Sequence, residues 1–496
     1  LTDKVHLQFI DYSDMRVKAD PGVLMELHDR FTHFIEGYKF SPKFRARVWD
    51  GKIRILNSHT GVCPMGLAQE VKKFCDSRDY EFTFDDDFVY ENVSIHEVEE
   101  FIKSLNPPDW LDSRDYQVES ITKCIRSNRR TLVSPTSSGK SFMIYVLYMW
   151  YFNKGMIDKG LLVVPRTGLV TQMAKDFESY GFKGRIMLST DGLLKDNDLD
   201  ADIVISTWQS LNNGGKVKMP KKWYHQFGMV FGDEAHGAKA TQLKAIIGAL
   251  VNAKYRFGTT GTLQEDPLFA ETIIGLFGPK YKSISSKEMM DAGYAAQLEI
   301  KCLILNYDDE ICKEAKGMKY ADEISYITEM PERNNFIKNL TLSLDNNKLV
   351  FFHRIKHGKE LKELIELGAI GPVFFIAGET KSNEREIIRV QMEEEAAAIL
   401  LASLGTTSTG ISIKKLKHMI AAHPSKAKIT VLQAIGRMLR KHPEILTVYL
   451  YDIVDNLTNG KAKNYALKHF EERVKIYDAE GFSYKIYNIP VKKLKK

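Results

Sequence analysis

The 496 residues carry 44% hydrophobic and 27% charged side chains, a balance that fills several cores and excludes disordered, collagen-like and mucin-like classes. Lys and Arg total 70 against 64 Asp and Glu, a formal charge of +6 that permits a nucleic-acid partner without demanding one. Five scattered cysteines (Cys63, Cys75, Cys124, Cys302 and Cys312) form no C-x-x-C pair, which argues against a zinc ribbon or a disulfide framework and for a reducing, cytoplasmic compartment.

At roughly 100–200 residues per domain, the length predicts about three domains. The first residues lead into no continuous apolar run, so no secretory signal is expected. Residues 1–106 read as a small α+β domain. Within it, residues 39–54 hold six Lys or Arg, one Asp and the aromatics Phe40, Phe44 and Trp49. Lys43, Arg45 and Arg47 suit DNA phosphates, and Trp49 suits stacking on an unpaired base. The same rings would equally fill a small β-core and leave the cations solvated. Asn106-Pro107-Pro108-Asp109 then breaks the chain, because successive prolines cannot continue a helix.

From about residue 115 to 455, short β-rich apolar runs alternate with longer amphipathic stretches. The runs lie at 161–165, 202–206, 229–231, 349–352, 373–376, 398–402 and 447–451, and several end in Gly, Pro, Ser or Asp. Buried parallel strands joined by helices produce this pattern, so the expected class is α/β, in two blocks at 107–290 and 291–496. The apolar stretch 142–152 has 11 residues, too short for a membrane span of about 20 and right for a buried helix. The basic tail at 492–496 reads as a solvated end, with phosphate contact as the alternative.

The run SPTSSGKS at 134–141 sits between an apolar strand and that helix. Strand, small-residue turn and helix point backbone N–H groups at a phosphate, here from Thr136, Ser137, Ser138 and Gly139. Lys140 would reach the β- and γ-phosphates of ATP, and the Ser141 hydroxyl would ligate Mg2+. Ser134 replaces the first Gly of the phosphate-loop pattern, so by itself the run also fits a Ser-rich turn before a core helix. A second element bears on this choice. The strand at 229–232 ends in Asp233, suited to the Mg2+ shell, and Glu234, suited to activating water. Together they predict ATP hydrolysis. Arg437 and Arg440, three apart on an expected helix, put two guanidinium groups on one face.

Asp233-Glu234-Ala235-His236 matches motif II of the superfamily 2 helicases and translocases, and the remaining motifs follow in order. Arg114-Asp115-Tyr116-Gln117 resembles the element whose Gln reads adenine. Residues 164–172, with Arg166, resemble motif Ia. Ser206-Thr207-Trp208-Gln209 resembles a following strand-end motif, in which Trp208 and Gln209 fit either strand contacts or core and cap residues. Thr259-Thr260-Gly261-Thr262 resembles motif III, residues 351–354 motif IV, and 408–412, with Gly410, motif V. Gln433, Arg437 and Arg440 complete a full Q-x-x-G-R-x-x-R motif VI. The resemblance implies ATP contacts at Gln117 and Gly410, and coupling through His236, Thr259, Thr260 and Thr262. It makes Gln433 catalytic and gives the two arginines access to the γ-phosphate. Gly261 in motif III and the missing Asp in motif V depart from DEAD-box RNA helicases.

Residues 37–54, Gln226-Phe227-Gly228-Met229, Arg333-Asn334 and 408–412 are similar to the UvsW helicase family of T-even bacteriophages. That resemblance implies two RecA-like parallel-sheet motor domains preceded by a small α+β DNA-binding domain. It implies an enzyme that uses ATP and Mg2+ to remodel branched DNA in phage replication, recombination and repair: fork regression, Holliday-junction branch migration, and R-loop and D-loop unwinding. Forks, Holliday junctions, single-stranded DNA and RNA–DNA hybrids are then the expected partners, in the host cytoplasm and away from membranes. Two other classes share parts of the motif set: a double-strand DNA translocase without strand separation, and a nucleotide-gated clamp or annealing factor.

Overall fold

The structure is a computed structural model. It describes residues 3–35, 37–88, 91–190, 200–234, 240–261, 266–404, 413, 415–423, 432, 435–436, 439, 442–460 and 463–493. The chain divides into two compact units, Leu1–Pro135 with Gly139–Ile284, and Thr136–Ser138 with Ser285–Lys496.

In the first unit, seven strands form a sheet in the order Lys280–Lys282, Arg129–Val133, Tyr255–Thr260, Met229–Gly232, Gly160–Val164, Ile203–Thr207, Ile186–Ser189. Every pairing in it is parallel. Its central strands are apolar on both faces because both are covered, as parallel sheets require. Leu162 and Val164 enter one core, while Leu161 and Val163, one residue out of phase, enter the other. The helix Lys140–Asn153 lies in the first core with residues from 142 to 151 buried on nearly every side, which is why no polar face is legible in its sequence.

The N-terminal element is a four-stranded sheet in the order Val62–Pro64, Asp14–Ala19, Lys4–Phe9, Glu81–Phe84, with the helices Pro21–Arg30 and Ala68–Ser77. Its pairings are antiparallel except for the last, so it is α+β as expected. Its core includes Ile274, from the helix Pro267–Phe277 of the motor lobe. The backbones approach so closely there that a Cβ on Gly66 would lie 2.1 Å from the Ile274 carbonyl. Arg256 on the lobe is fully buried and donates to the Ser13 hydroxyl at 2.8 Å and the Ile247 carbonyl at 3.1 Å. The helix Ile95–Ser104, started by a Ser94–Glu97 capping box, buries Val98 and Ile102 in the motor lobe's own core. The Pro107-Pro108 break therefore follows a helix already packed on the motor.

The second unit holds another all-parallel sheet of seven strands, in the order Val373–Ile376, Ile399–Ser403, Asn347–Phe352, Leu416–Ala421, Thr447–Asn456, Gln297–Tyr307, Ser483–Val491. A buried ion pair anchors the helix Pro331–Ser343 to it. Arg333 Nε donates to Asp455 Oδ1 at 2.7 Å, Tyr307 donates to the same oxygen at 2.8 Å, and both charged side chains are wholly buried. The two seven-stranded sheets are RecA-like motor domains, and the small α+β element precedes them.

Candidate functional site

The sequence motifs of the first unit gather at the C-terminal ends of its parallel strands, where open α/β sheets bind their ligands. The strand Arg129–Val133 runs into the loop 134–139 and the helix beginning at Lys140. Ser134 N–H donates to the Thr260 carbonyl at 2.9 Å, fixing the loop against the neighbouring strand end. Ser137 (φ 69°) and Gly139 (φ 82°) both take left-handed backbone. Gly139 is required for a second reason: a Cβ there would lie 2.3 Å from Gln117 Nε2. Gln117 is buried, with its Oε1 accepting from Arg114 N–H at 3.0 Å. The adenine-reading candidate thus abuts the phosphate-loop candidate.

Lys140 Nζ donates to the carbonyls of Ser134 at 3.2 Å and Pro135 at 3.4 Å, and lies 3.3 Å from Glu234 Oε1. The Met229–Gly232 strand lies one strand beyond Tyr255–Thr260, and Thr259 bridges them by donating its hydroxyl to Asp233 Oδ1 at 2.5 Å. Asp233 is buried, and burial together with the adjacent Glu234 carboxylate raises its pKa, against the opposing pull of Lys140 and the Thr259 hydroxyl. A cation arriving at Asp233 would relieve that repulsion. The Asp233 carboxylate and Ser141 hydroxyl are the hard oxygen donors that Mg2+ takes alongside phosphate oxygens and water. Ser141 Oγ is within 2.9 Å of the Tyr180 hydroxyl. Among the described residues no cluster of three or more His, Cys, Asp or Glu could hold a metal by itself.

Thr260 is buried beside Thr259 at the same strand end. Arg166 is exposed at the start of the helix Thr167–Ser179, and Gln209 is exposed, donating to the Pro165 carbonyl at 3.3 Å. Trp208 is a correction: it is 1% exposed within the core under the sheet, so its ring is packing and offers no face to a strand. His236, Thr262, Gly410, Gln433, Arg437 and Arg440 lie outside the described residues.

The basic stretch forms an insert in the N-terminal element. A hairpin of Thr32–Phe34 and Lys52–Arg54 carries a 3-10 turn, Tyr38–Phe40, and a one-turn helix, Pro42–Arg45. Its aromatic residues do not fill a β-core: Phe40 is 76% exposed, and Tyr38 packs locally on Phe34 and Phe44. Arg45, Arg47 and Trp49 line one open cavity together with Lys39, whereas Lys43 does not line it. At the foot of the hairpin, Arg30 and His33 both bind the buried Glu271 of the helix Pro267–Phe277, at 2.5 and 2.7 Å. Sequence reasoning passed over Glu271, because a single acid in an apolar helix gives no local signal. Among the described residues no helix is long and apolar enough to cross a membrane.

Three family models match the chain: the N-terminal domain of DNA helicase UvsW over residues 4–85, the type III restriction enzyme res subunit over 111–265, and the helicase conserved C-terminal domain over 332–442. The ATP-dependent DNA helicase uvsW of Enterobacteria phage T4 is 35% identical, covering 97% of this chain and 98% of its own. The crystal structure of T4 UvsW superposes with a TM-score of 0.52 at 33% identity, covering 98% of this chain and 99% of that one. The DNA-bound type ISP restriction-modification enzyme LlaBIII reaches a TM-score of 0.56 over 77% of this chain and 32% of its own, but at 14% identity it shows the motor fold alone. Near-complete coverage in both directions, at the level of sequence and of structure, places the chain in the UvsW family of DNA helicases.

Proposed function

We propose that this chain is an ATP-dependent DNA helicase that remodels branched DNA by fork regression, Holliday-junction branch migration and unwinding of R-loops and D-loops. The observation that carries the reading is the linked set Lys140–Glu234 and Thr259–Asp233 at adjoining strand ends. In it a phosphate-binding ammonium, a water-activating carboxylate and a metal-suited carboxylate share one small volume with a loop of left-handed backbone.

Bound ATP would offer its phosphate oxygens to Lys140 in place of the loop carbonyls, and loop N–H groups of 136–139 would donate to them. Mg2+, held by Ser141 and Asp233, would neutralise charge on the β- and γ-phosphates. Release of Lys140 from Glu234 frees that carboxylate to orient and deprotonate the attacking water. Thr259 ties Asp233 to the strand end carrying motif III, which suits Thr259 and Thr260, with Thr262 of the same motif, to a coupling role. His236 and Gly410 are assigned to coupling and ATP contact, and Gln433, Arg437 and Arg440 to transition-state stabilisation, from their motifs. Lys43, Arg45, Arg47 and Trp49 of the insert, with Arg166 and Gln209 of the motor, are the proposed DNA contacts.

The proposed partition is 1–106 for DNA reading, 107–290 for ATP binding and 291–496 for the second motor domain. Forks, Holliday junctions, single strands and RNA–DNA hybrids are the proposed substrates, in the host cytoplasm. Strand displacement on matched forked, Holliday-junction and linear DNAs, with ATP turnover measured in parallel, tests this. Displacement that requires ATP and favours branched substrates supports the reading. DNA-stimulated turnover without displacement would make the protein a double-strand translocase, and DNA binding without turnover a nucleotide-gated clamp.

A further inference from the structure

The cavity in the hairpin insert is built for more than backbone charge. It has a volume of about 510 Å³, inside the roughly 300–1,000 Å³ range of small-molecule sites, and Lys39, Phe44, Arg45, Arg47, Trp49 and Asp50 are among its lining residues. Among the described residues no carboxylate lies within ion-pair distance of Lys39, Arg45 or Arg47. The one acid on the wall, Asp50, is already engaged. It pairs with Arg54 and accepts from Lys52 N–H at 3.1 Å, and these bonds hold its carboxyl down at about 2. Three unneutralised cations therefore face one space, which favours an anion there.

The aromatic wall is fixed as well. Trp49 Nε1 donates to the Lys52 carbonyl at 3.0 Å, which pins one edge of a half-buried indole and sets the plane of its ring. Gly51 makes this possible, since its left-handed turn (φ 82°) places its backbone where a Cβ would collide with the Tyr38 ring at 2.3 Å. A phosphate alone needs no aromatic wall. A duplex presents stacked bases whose faces are already covered. An unpaired nucleotide offers both an anion and a free π-face.

Resting on the reading of the insert as a DNA contact, we propose that this cavity takes one unpaired nucleotide of the DNA substrate, its base on the Trp49 ring and its phosphate among Lys39, Arg45 and Arg47. The insert then senses an unstacked base, which a strand opened at a branch point exposes and an intact duplex does not.

The test uses the full chain with a dT oligonucleotide and a duplex of equal length, following binding and tryptophan emission. Trp150, Trp208 and Trp223 are core residues, so the difference between the wild type and Trp49→Phe isolates Trp49 from the exposed Trp110. The expected result is quenching of the Trp49 component by oligo-dT and not by duplex, with Trp49→Phe losing less oligo-dT affinity than Trp49→Ala because it keeps an aromatic face but not the Nε1 bond. Trp49→Ala should lose about 5- to 100-fold on oligo-dT, with its duplex binding unchanged. Arg45→Ala and Arg47→Ala should each flatten the salt dependence of oligo-dT binding by about 0.7 in log–log slope. No Trp49 quenching, or equal losses of single-strand and duplex binding in Trp49→Ala, overturns the nucleotide pocket while the arginine results still hold the insert to DNA. Unchanged slopes in both arginine variants would remove the DNA-contact reading itself.

Discussion

His33 Nε2 lies 2.7 Å from Glu271 Oε2, so the foot of the basic hairpin is fastened to the helix that follows the motif III strand. Arg30 occupies the other oxygen of the same carboxylate. Two residues at the base of the basic insert thus converge on one buried acid of the motor lobe. The insert is braced rather than tethered.

Glu271→Ala should loosen that brace. Arg30 is 41% exposed and can return to water, which discounts the loss, so the expected cost is about 1–3 kcal/mol of stability in the first unit. Urea unfolding with a double-mutant cycle against Arg30→Ala measures it. An unchanged midpoint in Glu271→Ala would mean the contact does not hold the two elements together.

Lys140→Ala should weaken nucleotide binding and turnover together, since it removes both the proposed phosphate ligand and the partner of Glu234. Glu234→Gln should bind nucleotide as the wild type does and lose about 10²–10⁴ in rate. Steady-state ATPase beside a nucleotide titration separates the two. Near-normal turnover by Glu234→Gln would strip that residue of its assignment.

Thr259→Val keeps the shape of a fully buried side chain and deletes only the hydroxyl that Asp233 accepts. Hydrogen bonds to charged groups contribute about 1.5–3 kcal/mol, so Mg2+-dependent turnover should fall by about 10- to 100-fold while ADP binding changes little. Equal loss of ADP affinity and of rate would indicate a folding defect instead, and unaltered rate would show that the bond carries nothing.

The second unit should weaken in mild acid. His357 and His423 are buried, and desolvation first, with nearby cationic groups adding to it, pushes each down to about 3. In the unfolded chain both titrate near 6.5. Below that pH the unfolded state gains protons that the folded state refuses, so stability is complete above about 6.5 and falls as pH drops toward 3. At pH 5 the loss is about 2 kcal/mol per histidine. Amide exchange in the strands Asn347–Phe352 and Leu416–Ala421 at pH 7 and 5, corrected for intrinsic rates, reports it, and His357→Gln should remove about half of the effect. A pH-independent opening energy would refute the argument.

The strands legible in the sequence were those buried on both faces and ended by a breaker, such as Gly160–Val164, Ile203–Thr207 and Thr447–Asn456. Ser483–Val491 escaped because its alternating polar residues resemble a surface segment, and it is an edge strand. Gln297–Tyr307 has the same alternation at its start. At the candidate nucleotide site, Asp233 and Glu234 were readable because they end an apolar strand, and Lys140 because it opens a helix after a small-residue turn. The Thr259–Asp233 bond, the Gly139–Gln117 approach and the grip on Glu271 depend on which strands and elements become neighbours, which no local window contains. Trp208 was ambiguous for the same reason, since only the packed sheet decides whether that ring faces a core or a groove.

Ser13 and Arg256 are 243 positions apart. A ribosome adding about 5–20 residues per second exposes the first of them roughly 12–50 s before the second. Throughout that interval the nascent N-terminal sheet has no Ile274 to close its core, and its cationic hairpin has no Glu271 beneath it. The N-terminal sheet is made well before the helix that completes it, so whatever meets the emerging polypeptide in that interval meets an unbraced, positively charged finger.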